Sequence, residues 1–316
     1  MNNKRFILLL SIVMMTACGQ KKAEQFKALP FPDIALPGMM TQSQDVTDYM
    51  AEHYWDRFTD PERTYPSDSL LVNGVRKEDV EQKFSTWLAI LERISLKQAE
   101  KAVSRLYDKA LSCELKDSSS NIFETVTALA DRYLYDANSP FRNEEYYLYF
   151  VRRFARYQGY SPEIRAKYEY YETNCSLNRL GTKAADFQFT DKSGKTHSLY
   201  GIDADLTLLF FSNPGCGSCM DIIQTLKGEA KIADMISSGK LAVANIYIDE
   251  DLAGWRDYMP VYPKEWYNGF DHEMKIRTDN LYNVRAIPSL YILDRDKRVI
   301  MKDAPENKAL SYLLEY

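Results

Sequence analysis

A chain of 316 residues, 45% hydrophobic and 27% charged, has apolar material for a buried core and the length of two ordinary domains. Its formal net charge of -5, with no polybasic patch, argues against nucleic acid as a partner. After the opening residues no segment is long and apolar enough to be a transmembrane helix.

The chain starts MNNKRFILLLSIVMMTAC, with a basic beginning at Lys4 and Arg5, an apolar run from Phe6 to Met15 and small residues ahead of Cys18. That layout is an export signal, and the run is too short to span a bilayer permanently. Met15-Thr16-Ala17-Cys18 resembles the lipobox of bacterial lipoproteins, which implies a signal peptide over 1–17, a lipid on Cys18 and a tether over 18–40 opening with the polar GQKKAEQ. The other reading is an ordinary secretory signal cut nearby. Either way the mature protein leaves the cytoplasm, where glutathione no longer keeps thiols reduced. Losing Lys4 and Arg5 takes its charge to -7. The lipid would place the protein in the cell envelope, on the periplasmic side, anchored to a membrane.

Over 41–178 apolar residues recur at three and four, the signature of amphipathic helices, and predict an all-α helical bundle. The helices are expected near 43–58, 77–94, 96–113, 119–136, 143–158 and 161–175. Asn138-Ser139-Pro140 separates two of them, and Ser161-Pro162-Glu163 supplies a cap, a first-turn proline and a first-turn acid. The chain has 23 tyrosines, many of them here, as in EEYYLYF; at helical spacing these read as half-buried packing residues. His53, in AEHYWDRF, has no second histidine or cysteine at ligand spacing and reads as packing or capping. Cys113 and Cys175 read as small buried hydrophobes, their pairing open. No function follows from the residues of this domain.

From 181 to 316 the pattern changes to short strands. ADFQFT, the turn DKSGK and THSLY make a hairpin, and LTLLFFS over 206–212 is a continuous apolar run, as of a strand covered on both faces. A helical stretch from Cys216 to about Gly239 leads to a second such run, LAVANIYID, which completes a parallel crossover unit. DLAGWRDYM reads as a helix, SLYILD and RVIMKD as a hairpin, and PENKALSYLLEY as a closing helix begun by proline.

Cys216 and Cys219, in FFSNPGCGSCM, fall where the strand gives way to the helix. Unpaired N–H groups and the positive end of the helix dipole stabilise a thiolate there. A lowered thiol pKa makes Cys216 a nucleophile, and Cys219, one turn deeper, can resolve the mixed disulfide. A structural zinc site would need four ligands, and downstream only His197 and His272 are on offer. No metal is expected, nor any cofactor beyond a redox-active Cys216–Cys219 disulfide. Peroxidase chemistry of the peroxiredoxin type would want threonine where Asn213 stands. In RAIPS, Pro288 is either a strand's first residue or a cis-proline that exposes the Ile287 backbone beside the cysteines.

Together the hairpin, LTLLFFS, Cys216-Gly217-Ser218-Cys219 and Ile287-Pro288 resemble the thioredoxin superfamily, in particular its exported, membrane-tethered thiol–disulfide oxidoreductases. The whole chain is similar to Bacteroidetes-type lipoproteins that join a helical domain of unknown function to such a module, through HYWDRF, DRYLYDANSPFRNEEYY and NVRAIPSLYILDRDKRVI. The resemblance implies an α/β thioredoxin-like domain, a mixed sheet flanked by helices, over 181–316. It makes Cys216 the attacking and Cys219 the resolving cysteine, with Ile287, Pro288 and Gly215 on the substrate side. It also implies reductase work on disulfide- or thiol-bearing envelope proteins, fed by a membrane electron donor. Two positions depart from the thioredoxin pattern: Gly215 replaces a tryptophan, and Phe210 replaces the buried acid that assists proton transfer. Asp221 lies near the pair in sequence and reads as a solvated helix residue. The rival expectation is a binding or scaffolding lipoprotein whose Cys216–Cys219 disulfide is only structural.

Overall fold

Apolar residues at helical spacing build the first half into six helices, α1 Ser43–His53, α2 Lys77–Leu91, α3 Leu96–Lys116, α4 Ile122–Ala130, α5 Glu144–Phe154 and α6 Pro162–Cys175. The computed structural model describes residues 27–38, 42–63, 65 and 70–316, so the leader, Cys18 and much of the tether lie outside the described residues. The caps work as their residues suggest: Ser95 Oγ accepts from Gln98 N, Asn143 Oδ1 from Glu145 N and Tyr146 N, and Ser161 Oγ from Ile164 N. Helix α1 ends five residues short of expectation because Tyr54, Trp55 and Phe58 leave the helix as turns and pack inward, Trp55 edge-on to Trp87 at 6.1 Å. The helix expected over 119–136 begins at Ile122, and its last turn widens into a π turn at Asp131–Tyr135.

This core is aromatic. Trp87, Phe84, Tyr147, Phe150 and Phe154 are all fully buried in one cluster. The tyrosines pack, but those of EEYYLYF are buried outright rather than half-buried, with hydroxyls satisfied: Tyr146 donates to Leu91 O at 3.0 Å and Tyr147 to Asp131 Oδ1 at 2.7 Å. His53 stacks on Tyr49 at 4.1 Å and bonds Asp56 at 2.7 Å. The domain also holds a small hairpin, β1 Leu71–Val72 and β2 Val75–Arg76, turned at Asn73-Gly74 with positive φ at both. Asn-Gly is the usual signal for such a turn, but two-residue strands leave no alternation to read.

The second half places seven strands in one sheet: β3 Gln188–Asp191, β4 Thr196–Ser198, β5 Leu206–Phe211, β6 Leu241–Tyr247, β7 Tyr267–Phe270, β8 Ser289–Asp294 and β9 Val299–Met301. Their order across the sheet is β4-β3-β7-β6-β5-β8-β9. Strands β5, β6 and β7 run parallel, and the rest pair antiparallel. Between β5 and β6 the chain forms α7 Gly217–Gly228 and α8 Ala230–Ser237 in place of one long helix, because Glu229 is extended (φ -89°, ψ 108°) and interrupts the ladder. Then follow α9 Leu252–Tyr258, α10 Lys275–Thr278 and α11 Glu306–Glu315.

Alternation divides the central strand between two cores. Leu206, Leu208 and Phe210 face Ile222, Ile223, Leu226 and Leu313 on one side, whereas Leu209 and Phe211 face Phe187, Ile202 and Tyr282 on the other. Every residue of β5 and β6 is buried, as expected of parallel strands covered by helices on both faces.

Candidate active site

The end of β5 opens into a short loop, Asn213 to Gly215, whose job is to aim Cys216 at the start of α7. Cys216 N bonds back to Asn213 O at 3.3 Å, and Asn213 Nδ2 donates to Asp249 just beyond β6, so the loop is tied to both central strands. Gly215 has φ of +72°, a conformation that side-chain-bearing residues adopt at a cost, and it is exposed.

Cys216 is the N-cap of α7, with its Sγ 3.2 Å from the backbone N of Cys219. The same residue's carbonyl starts the helical ladder, accepting from Met220 N at 3.0 Å. A thiolate in this place would take the hydrogen bond that the sulfur already accepts and sit on the positive end of a three-turn helix. The two cysteines form a disulfide with Cα atoms 5.2 Å apart. Their burial differs: Cys219 is 1% exposed within the apolar cluster of Phe210, Ile222 and Ile223, while Cys216 is half-buried between the exposed Gly215 and Gly217.

Strand β8 brings the next element. It runs antiparallel to β5 with Ser289 paired to Phe211, so the preceding Ile287-Pro288 step reaches the end of β5 from which the Cys216 loop departs. The Ile287–Pro288 peptide is cis, and Ile287, half-buried, packs with Cys216 against the cluster that holds Cys219. The fold therefore assembles Gly215, Cys216, Cys219, Ile287 and Pro288 at one end of the sheet. Cys18 falls outside the described residues. Asp221 is exposed, and Cys113 and Cys175 are both buried and free, in different helices.

Phe210, where a buried acid would assist proton transfer, is fully buried and pairs with Asn245 on one side and Leu290 on the other. The polar groups on this face lie one step away. Ser212 Oγ bonds Asn245 Oδ1, Asn245 Nδ2 bonds Asn268 Oδ1 at 2.9 Å, and Asn268 Nδ2 donates to Pro263 O at 2.6 Å. Burial pushes the Tyr262 phenol up. This chain of buried amides and hydroxyls was not anticipated. Its only trace in sequence is Asn245 interrupting the apolar run of LAVANIY.

Residues 14–173 match the family described as domain of unknown function DUF5106, and residues 203–299 match one described as thioredoxin-like. A thioredoxin-like protein from Bacteroides caccae, known from its crystal structure, is 34% identical over 92% of this chain and 100% of its own, with a TM-score of 0.78. Also similar is the C-terminal domain of an uncharacterized protein from Bacteroides fragilis, 46% identical over 43% of this chain and 98% of its own, TM-score 0.42. The thioredoxin domain of a thiol-disulfide oxidoreductase from Bacteroides vulgatus is 16% identical over 43% of this chain and 98% of its own, TM-score 0.37. No curated protein matches the chain.

Proposed function

The chain belongs to the thioredoxin-like proteins that carry an N-terminal DUF5106 domain, and on that premise we propose that it is a thiol–disulfide oxidoreductase of the cell envelope, acting as a reductase of protein disulfides. One observation carries the reading: a disulfide caps α7 with one cysteine half-buried and the other fully buried, beside the Ile287-Pro288 step. A purely structural bridge has no use for that asymmetry.

In the reduced state the Cys216 thiolate attacks one sulfur of a substrate disulfide. A Cys216–substrate bond forms, the substrate bond breaks, and the departing sulfur leaves as a thiolate that takes up a proton. Cys219, once deprotonated, attacks the Cys216 sulfur, restoring the Cys216–Cys219 disulfide and freeing the second substrate thiol. Two electrons pass from the pair to the substrate. A dithiol donor at the membrane must then return two electrons and two protons. The Ile287 backbone supports an extended substrate segment beside the pair, and the lipid on Cys18 holds the protein at the periplasmic side of a membrane.

The test is insulin reduction by the full-length protein in detergent, with dithiothreitol as donor. Catalysed precipitation of the insulin B chain is expected from the wild type and is expected to vanish in Cys216→Ser. A wild-type rate equal to that of dithiothreitol alone, with the disulfide surviving excess reductant, would leave only a structural bridge.

A further inference from the structure

Two stretches far apart in sequence, DRYLYDANSPFRNEEYY in the helical domain and NVRAIPSLYILDRDKRVI in the sheet domain, meet face to face. Their meeting place is a buried cluster of charge. The Glu144 side chain, 1% exposed at the start of α5, accepts from Asn283 Nδ2 at 2.6 Å and lies 3.1 Å from Arg285 Nε and 2.8 Å from Lys302 Nζ. Arg285 Nη2 donates to Asp303 Oδ2 at 2.7 Å, and Asp303 Oδ1 accepts from Ser289 Oγ at 2.8 Å. Ser289 directly follows Pro288. A continuous chain of ionic and hydrogen-bonded contacts thus runs from the helical domain to the step beside the disulfide.

Other groups of the helical domain hold the same segment. Arg142 donates from Nε to Asp303 O at 2.9 Å and from Nη2 to Ala304 O at 2.8 Å. Tyr135, the last residue of the π turn, lies beneath the Arg285 guanidinium at 4.3 Å. Lys302 Nζ donates to Cys175 O at 2.8 Å, at the end of α6.

Buried ion pairs are poor glue, since desolvation consumes much of the Coulomb gain, and an apolar interface would join two domains at least as firmly. What they supply is placement, because a group drawn away from its partner is left as a buried charge; Glu144 Oε2 and Arg285 Nε, which make no hydrogen bond, are held by charge alone. A cluster of this kind around the segments flanking Pro288 fixes the placement of that loop.

We infer that Glu144 is a positioning residue: through Arg285, Asp303 and Ser289 the helical domain holds the Ile287-Pro288 step where a substrate backbone docks beside Cys216. This rests on the reading of Cys216–Cys219 as an exchange pair. A small disulfide reaches Cys216 without docking on that step, whereas an extended peptide uses both, so the two substrates separate positioning from chemistry.

The experiment uses the full-length chain turned over by dithiothreitol, the uncatalysed rate subtracted, with bis(2-hydroxyethyl) disulfide as the small probe and an extended peptide bearing one glutathione mixed disulfide as the large one. Glu144→Gln keeps the shape and removes the charge. The KM for the peptide is expected to rise about tenfold, with kcat and the rate toward bis(2-hydroxyethyl) disulfide within about twofold of wild type. Should that variant fail to fold, Ser289→Ala breaks only the last link, and its peptide KM is expected to rise about threefold. An unchanged peptide KM in the folded variant overturns the proposal. Equal losses toward both probes also overturn it, since that would place the effect on the thiols or on global stability. A wild type inert toward bis(2-hydroxyethyl) disulfide is a different result, the failure of the exchange reading itself, and the positioning role falls with it.

Discussion

Cys216 and Cys219 differ in what surrounds them, and the division of work proposed for them rests on that difference. Gly215, Gly217 and Ser218 leave the flank of Cys216 open, while Cys219 faces Phe210 and the α7 core. The chain's other described cysteines mark the contrast. Burial pushes the Cys113 thiol up, and pushes that of Cys175 well above its ordinary value with Glu144 beside it. Alkylation of the reduced native protein with iodoacetamide at neutral pH is therefore expected to modify Cys216 and spare Cys113 and Cys175 until denaturant is added. Peptide mapping by mass spectrometry reads this, and modification of Cys175 in the native state would contradict the burial argument. The place of Cys216 and Cys219 was legible in sequence because it depends on local order, strand then turn then helix. Glu144 was not: an acid after the Asn143 cap reads as a surface group answering the helix dipole. Its partner Asn283 lies 139 residues on, beyond any local pattern.

At the scale of elements, runs that are continuously apolar announced themselves, and β5, the crossover and β6 lie where LTLLFFS and LAVANIY put them. Strand β7 did not, since Asn268 and Gly269 occupy the middle of its four residues and erase the apolar signal. The hairpin of β3 and β4 shows a different kind of support. Asp191 accepts from Ser193 Oγ at 2.6 Å and from the backbone N of Ser193 and Lys195, and it bonds His197 at 2.9 Å. Bonding to Ser193, then to His197, holds its carboxyl well below the usual carboxylate range. A depressed folded pKa contributes stability that is fully present above the unfolded value of about 4 and is lost as pH falls below it. The Tm advantage of wild type over Asp191→Asn is thus expected to shrink steadily from about pH 5 to about pH 2. Because Asp191 is only partly buried, solvent screening should keep the effect under about 1 kcal/mol. A Tm difference that is constant over this range would count against the assignment.

Over the whole molecule, two cores face each other across a polar seam: the aromatic helical core within 51–175, and the paired cores of the sheet within 184–313. The seam runs along the strands and loop that carry Pro288, so the helical domain is built against the end of the sheet from which the Cys216 loop departs. Among the described residues no helix is long and apolar enough to cross a membrane, and attachment is proposed through Cys18 alone. The double architecture was legible from the change of period near residue 180; the meaning of the seam was not, because it is written in charges that look solvated one helix at a time. Everything proposed for the molecule depends on Cys216 forming a bond that Cys219 resolves. The most direct measurement uses the full-length Cys219→Ser protein, reduced, mixed with a peptide disulfide and run on a non-reducing gel, with the adduct mapped by mass spectrometry. A stable mixed disulfide on Cys216, released by dithiothreitol and missing from Cys216→Ser, is the predicted result. No adduct, or an equal adduct in both variants, would contradict it.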